Sequence, residues 1–118
     1  MIRARLLEWQ WSDYAGKHRD RANLLLHLVV VPVFQAGTVI LLAGLLLRSA
    51  LAIGVGLVCL VAALVLEGRG HARERETPTP FDGPLDFASR FFVEQWVTFP
   101  RFVLSGGWRR AFRAAGSR

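Results

Sequence analysis

The sequence holds one cysteine, Cys59, which excludes an intrachain disulfide and a cysteine-ligated zinc site. Charged residues are scarce, at 20% of 118 positions against 53% hydrophobic. That balance excludes disorder of the whole chain and fits an ordinary soluble domain poorly. Lysine is nearly missing: of 15 basic residues only Lys17 is not an arginine, and against 9 acidic residues they leave a formal charge of +6. There is no G-x-S-x-G elbow, no Walker loop, no G-x-G-x-x-G and no H-E-x-x-H. Their absence argues against the serine hydrolases, P-loop enzymes, dinucleotide-binding enzymes and zinc proteases that those motifs build. Aromatic residues do not interleave with basic ones in a soluble segment, so no nucleic-acid partner is expected.

What the chain has is two apolar blocks. Leu24–Leu47 runs for 24 residues without a charge, broken only by His27, Pro32, Gln35 and Thr38 among its less apolar positions. Ala50–Leu66 adds 17 that are all apolar or glycine. A helix needs about 20 such residues to cross a hydrocarbon core about 30 Å thick, with a lower limit near 17. Two spans are therefore expected, over about residues 22–47 and 50–67. The join at Arg48-Ser49 is too short for anything but an antiparallel hairpin. Arginines and Lys17 crowd both flanks, while the join carries only Arg48, which predicts cytoplasmic termini. Ala50 with Gly54 and Ala52 with Gly56 have the spacing of close helix packing, within the hairpin or in a homo-oligomer.

The remaining segments read as interfacial. An amphipathic helix is expected over about residues 4–19, and residues 77–84 form a proline-rich loop. A second helix over about 85–99 carries Ala88, Phe92, Trp96 and Phe99 on one side, and Asp86, Arg90, Glu94 and Thr98 on another. Pro100 is expected to end or kink it. Ser105-Gly106-Gly107 reads as a loop, and Arg109, Arg110 and Arg113 beyond it as contacts to anionic lipid. The fold class is thus an all-α membrane protein: an antiparallel two-span hairpin with an N-terminal amphipathic helix and a C-terminal interfacial helix in one membrane domain.

The three histidines, His18, His27 and His71, all fall at one end of that hairpin. Imidazole binds iron, zinc, copper and nickel, and histidine in or near a span is usually functional. Tyr14 and His18 share a helical face, as do Asn23 and His27. His18 and His27 are nine apart, about 180° around one straight helix, so they meet only if the chain breaks between them. Asp20 supplies the break as an N-cap. Glu67, His71 and Glu74 form an i, i+4, i+7 stripe, and Gly68 and Gly70 allow a neighbour to approach closely. Glu67, at the end of an apolar span, demands a metal, a histidine or an arginine. The metal reading places His18, His27 and His71 on one ion, with Glu67 or Glu74 as fourth ligand or its support. Iron with dioxygen and zinc with a hydrolytic water both suit that donor set. The competing reading is three interfacial histidines bonded to phosphates or backbone.

The pattern Tyr14-x3-His18-x4-Asn23-x3-His27 followed by Pro32, with Gly70-His71-x2-Glu74 and Pro78, resembles the Mpo1-like family. Pro80-Phe81-x-Gly83-Pro84 and Glu94-Gln95-Trp96-x-Thr98-Phe99-Pro100-Arg101-Phe102 resemble a short bacterial branch of it, so the likeness covers roughly residues 9–108. The resemblance implies an iron(II)-dependent dioxygenase that shortens a 2-hydroxy fatty acid by one carbon, with dioxygen as co-substrate. It implies iron on His18, His27 and His71, with Tyr14, Asn23 and Glu74 holding or polarising ligands and substrate. Glu67 rests on the stripe alone. Arg69, Arg73 and Arg75 are expected, from charge and position, to meet the substrate carboxylate. Expected partners are membrane lipids and a fatty-acyl substrate. The alternatives are a non-enzymatic accessory subunit of a larger membrane complex and a zinc-dependent membrane hydrolase.

Overall fold

A computed structural model describes residues 1–116, and Arg118 of the basic C-terminal set lies outside the described residues. The described residues form helices and loops, with no strand among them. Helix α1 (Leu6–Tyr14) passes into a 3-10 turn (Ala15–Lys17). Helices α2 (Arg21–Leu47) and α3 (Ala50–His71) follow. Next come α4 (Pro84–Val93), a π turn (Glu94–Thr98) and α5 (Phe99–Leu104) in unbroken succession, and then α6 (Gly107–Gly116).

The break between the first two helical segments falls where a cap is available. His18 leaves helical geometry, and the Asp20 side chain accepts a hydrogen bond from Asn23 N–H at 3.0 Å to start α2. At the other end of α2, Arg48 adopts φ 53°, and the Ser49 N–H closes back on the Gly44 carbonyl. A left-handed arginine costs about 1 kcal/mol. Ser49 then caps α3, its Oγ accepting from Ala52 N–H. Two residues therefore turn the chain completely.

Small residues let α2 and α3 lie close together and antiparallel. A Cβ on Gly44 would come within 2.8 Å of the Ile53 backbone, and one on Gly56 within 2.7 Å of the Leu41 backbone. Near the open end of the hairpin, a Cβ on Gly70 would collide with the Asn23 side chain. The two small-residue pairs divide: Ala52 and Gly56 sit in the hairpin seam, whereas Gly54 has nothing near it and Ala50 is exposed. Both helices are long and apolar enough to cross a membrane, yet only 22% and 17% of their most apolar stretches are buried within the chain. Most of the apolar surface of the hairpin therefore faces outward from the chain.

The smaller helices gather over the open end. Tyr14, Leu24, Val31, Phe99 and Phe102 make one core, and Val30, Phe34 and Ala63 make another, with Phe91 against it. Pro100 does not end its helix at residue 99, which corrects that part of the expectation that it ends or kinks there. Proline cannot donate its N–H, and the chain absorbs this in the π turn just before it, where Phe99 N–H bonds to the Glu94 carbonyl. The helix then runs on to Leu104. Beyond Gly106 (φ 83°), the expected loop gives way to α6, whose Trp108 indole donates to the Leu24 carbonyl at 2.8 Å.

Leucine in place of Gly56 should destabilise the chain by at least about 2 kcal/mol through overpacking, while leucine at Gly54 should be nearly neutral. Thermal unfolding in detergent distinguishes them. Burial opposes the Asp20 charge, but the Asn23 N–H and Arg73 hold its carboxyl below the ordinary value. Its stabilising effect is therefore present above the unfolded-state value and is lost as pH falls through the lowered one. Asp20→Ala should cost about 1 kcal/mol near neutral pH. The difference from the parent should vanish in acid.

Candidate metal centre

Four chain segments converge on one buried cluster. The end of the first helical segment carries His18, the first turns of α2 carry His27, the last turns of α3 carry Glu67 and His71, and the π turn carries Glu94 and Gln95. His18, His27, His71 and Glu94 each offer one ligand atom, and these atoms lie within 4.8 Å of one another. The imidazole rings meet nearly edge to face, with centroids 4.9 Å (His18–His27), 4.8 Å (His18–His71) and 5.3 Å (His27–His71) apart.

The backbone sets the tautomers. His18 Nδ1 lies 2.8 Å from the Tyr14 carbonyl, and His27 Nδ1 lies 2.9 Å from the Asn23 carbonyl. A carbonyl oxygen only accepts, so Nδ1 carries the proton, and each neutral ring presents Nε2 as a bare lone pair. Both Nε2 atoms, and Nδ1 of His71, are buried without a hydrogen-bond partner. His27 Nε2 is 3.2 Å from Glu67 Oε1 and 3.4 Å from Glu94 Oε2, and His18 Nε2 is 3.3 Å from Glu94 Oε2. Lone pairs of imidazole and carboxylate that face each other this closely repel unless a cation or proton lies between them. Two carboxylates and three neutral imidazoles carry a charge of −2, which a divalent cation neutralises. The donor set therefore fits a divalent transition metal.

Further contacts orient these donors. Tyr14 stacks on His18, with centroids 3.8 Å apart, and its hydroxyl donates to Glu94 Oε2 at 2.7 Å. Burial and the Glu94 charge push the phenol well above its ordinary value, so it stays a donor. Gln95 Nε2 donates to Glu67 Oε1 at 3.0 Å, leaving Glu67 Oε2 buried without a partner. Glu74 is elsewhere: it accepts from the Arg19 and Asp20 N–H groups at 2.8 and 3.0 Å, and from the Asn23 amide at 2.7 Å. It clamps the break that lets His18 and His27 converge, and α3 ends at His71 before the stripe reaches it.

A cavity of about 350 Å3 opens from the cluster. Tyr14, His18, Glu67, His71 and Glu94 form its polar end, and Leu64, Phe81, Phe87 and Phe91 line its apolar walls. Arg69, Arg73 and Arg75, expected from charge and position to meet a substrate carboxylate, do not line it. Arg69 and Arg75 are exposed, and Arg73 pairs with Asp20 at 2.9 Å. Lys17 and Arg90 are the arginine or lysine side chains on its wall. Arg90 is committed to Asp86 and to the Thr79 and Pro80 carbonyls, so it fastens the proline-rich loop. Lys17 has Asp13 at 3.8 Å.

Glu94 joins the cluster although the sequence pattern assigns it to a polar, interfacial face, and Gln95, which supports Glu67, enters the sequence reading only within the family motif. The signal for them is a carboxylate, an amide and a threonine inside an aromatic stretch directly before a proline.

A family model described as "Mpo1-like: 2-hydroxy-palmitic acid dioxygenase Mpo1-like" matches residues 4–104. No curated protein and no solved structure matches the chain.

His27→Ala should abolish stoichiometric divalent-metal binding while leaving helix content unchanged. Tyr14→Phe should weaken metal affinity about 10- to 100-fold, the usual cost of losing a ligand's supporting hydrogen bond. Elemental mass spectrometry and competition with a chromogenic chelator measure both.

Proposed function

The chain belongs to the Mpo1-like family, and on that premise we propose that it is an iron(II)-dependent dioxygenase that shortens a 2-hydroxy fatty acid by one carbon at a membrane face. The observation that carries this reading is the meeting of three unpartnered imidazole nitrogens and Glu94, with His18, His71 and Glu94 on the wall of a cavity that Leu64, Phe81, Phe87 and Phe91 also line. His18, His27, His71 and Glu94 would hold the metal. When bound, ferrous iron supplies the means of activating dioxygen and of chelating the oxygens of a 2-hydroxy acid. The overall reaction balances with one dioxygen, which converts the hydroxy acid to the acid one carbon shorter, carbon dioxide and water.

The protein's own groups order the substrate. The apolar wall of Leu64, Phe81, Phe87 and Phe91 takes the alkyl chain and keeps water from the polar end. Glu67 Oε2, buried and unpartnered, accepts a hydrogen bond from the 2-hydroxyl. Lys17, rather than the arginines after α3, offers its ammonium to the carboxylate. Tyr14 keeps its proton and holds Glu94 in place. Glu74 and Asn23 act at one remove, by fixing the chain break and the His27 ring. In the bacterial inner membrane the arginine-rich flanks put both termini, and hence the site, on the cytoplasmic side.

Anaerobically reconstituted ferrous protein, given 2-hydroxyhexadecanoic acid in detergent, should consume dioxygen and form pentadecanoic acid in equal amounts. An oxygen electrode and mass spectrometry of the products follow both. Full iron occupancy with no oxygen uptake would sink the reading. Zinc as the resident metal would redirect it to hydrolysis, and lack of any metal binding to an accessory subunit.

A further inference from the structure

The succession α4–π–α5 is built inside out for a helix that faces water. Asp86, Arg90, Glu94, Gln95 and Thr98 point inward and are each no more than 8% exposed. Leu85, Phe92, Trp96 and Val103 form the opposite stripe and are 54%, 54%, 37% and 38% exposed. In a soluble protein the apolar stripe would turn to the core.

The depth of the helix is set by what it touches. The Gln35 amide donates to the Gln95 carbonyl at 2.8 Å, and the Phe91 and Phe34 rings meet at 5.2 Å. Gln35 precedes Leu47 by twelve residues, about 18 Å along α2, whereas half a hydrocarbon core is about 15 Å. Phe99, toward the other end, lies against His27 with ring centroids 5.6 Å apart. The helix therefore spans the levels from His27 to Gln35 against the hairpin. The hairpin beside it also presents exposed apolar residues, among them Val33 on α2 and Val61 on α3.

We propose that the outer face of α4–α5 is covered by lipid acyl chains, so that this helix is the membrane-immersed floor of the cavity and not a helix resting among headgroups. The inference rests on the membrane reading of the hairpin. It explains the polarity of α4 and the π turn directly: their charges and amides pair inward because the medium outside offers no hydrogen bonds, while Arg101 on α5 is exposed and stacks over the Trp11 ring at 4.0 Å. It also sets the apolar wall that Phe87 and Phe91 contribute to the cavity on an element bathed in lipid, the phase in which a fatty acid resides.

The test uses the full chain in phosphatidylcholine–phosphatidylglycerol liposomes, with Cys59→Ala as background and single nitroxide labels at Phe92, Trp96 and Val103. Labels at Val58 on α3 and Arg109 on α6 are the references, and each labelled chain must still bind one metal ion. Collision with a polar nickel chelate at the three test sites should match Val58 and fall at least about tenfold below Arg109, since the chelate is excluded from hydrocarbon. Nickel access at the test sites with Val58 protected overturns the proposal and leaves the membrane reading intact. Nickel access at Val58 overturns the membrane reading itself. Protection from both oxygen and nickel, with dipolar broadening between labels, would mean that a second copy covers the face, and also overturns the proposal. As a measurement without labels, quenching by dibrominated-chain lipid should be stronger in the parent than in Trp96→Phe. Equal quenching in the two counts against immersion.

Discussion

Two carboxylates, Glu67 and Glu94, are buried at the border of an apolar hairpin, and most of the surrounding architecture answers that constraint. Neither can stay charged there alone. Three imidazoles converge on them, Tyr14 and Gln95 donate to them, and the remaining positive charge is what a divalent cation would bring. The break at His18–Asp20, the clamp of Glu74 across it and the close approach at Gly70 all serve to bring His18, His27 and His71 to the same point.

The π turn has a matching role. Pro100 removes a backbone donor, and the wider turn that accommodates it leaves both Glu94 and Gln95 buried at successive positions. A local backbone defect thus supplies a candidate ligand, Glu94, and the support of Glu67 by Gln95 together. The same helix shows its apolar side outward, so a polar centre and a lipid-compatible surface are two faces of one element.

The division of small residues shows how close packing and exposure are separated. Gly44 and Gly56 allow the helix backbones to meet near the tight turn, whereas Gly54, two residues from Gly56, points into open space. Spacing in the sequence cannot make that distinction, because both pairs obey the same four-residue rule. It is decided by which side of α3 the partner helix occupies.

Much of the fold is legible in the amino-acid sequence. Charge-free runs at Leu24–Leu47 and Ala50–Leu66 determine long apolar helices because nothing else satisfies the backbone of such segments. Asp20 determines a helix start, and the spacings around His18, His27 and His71 place imidazoles at one end of the hairpin. These signals are local in sequence, and their physics is local too. Glu94 is different: its helix carries polar residues on one side and aromatic ones on the other, a pattern equally consistent with the polar side facing water or facing a buried site. Only the packing of α4–α5 against α2 settles which, just as only the end of α3 at His71 turns Glu74 from a candidate ligand into a clamp. The sequence by itself determined the two long apolar helices and where imidazole would gather. The tertiary structure decided which carboxylate meets it, because that depends on contacts between residues nearly eighty positions apart or more, such as Tyr14 with Glu94.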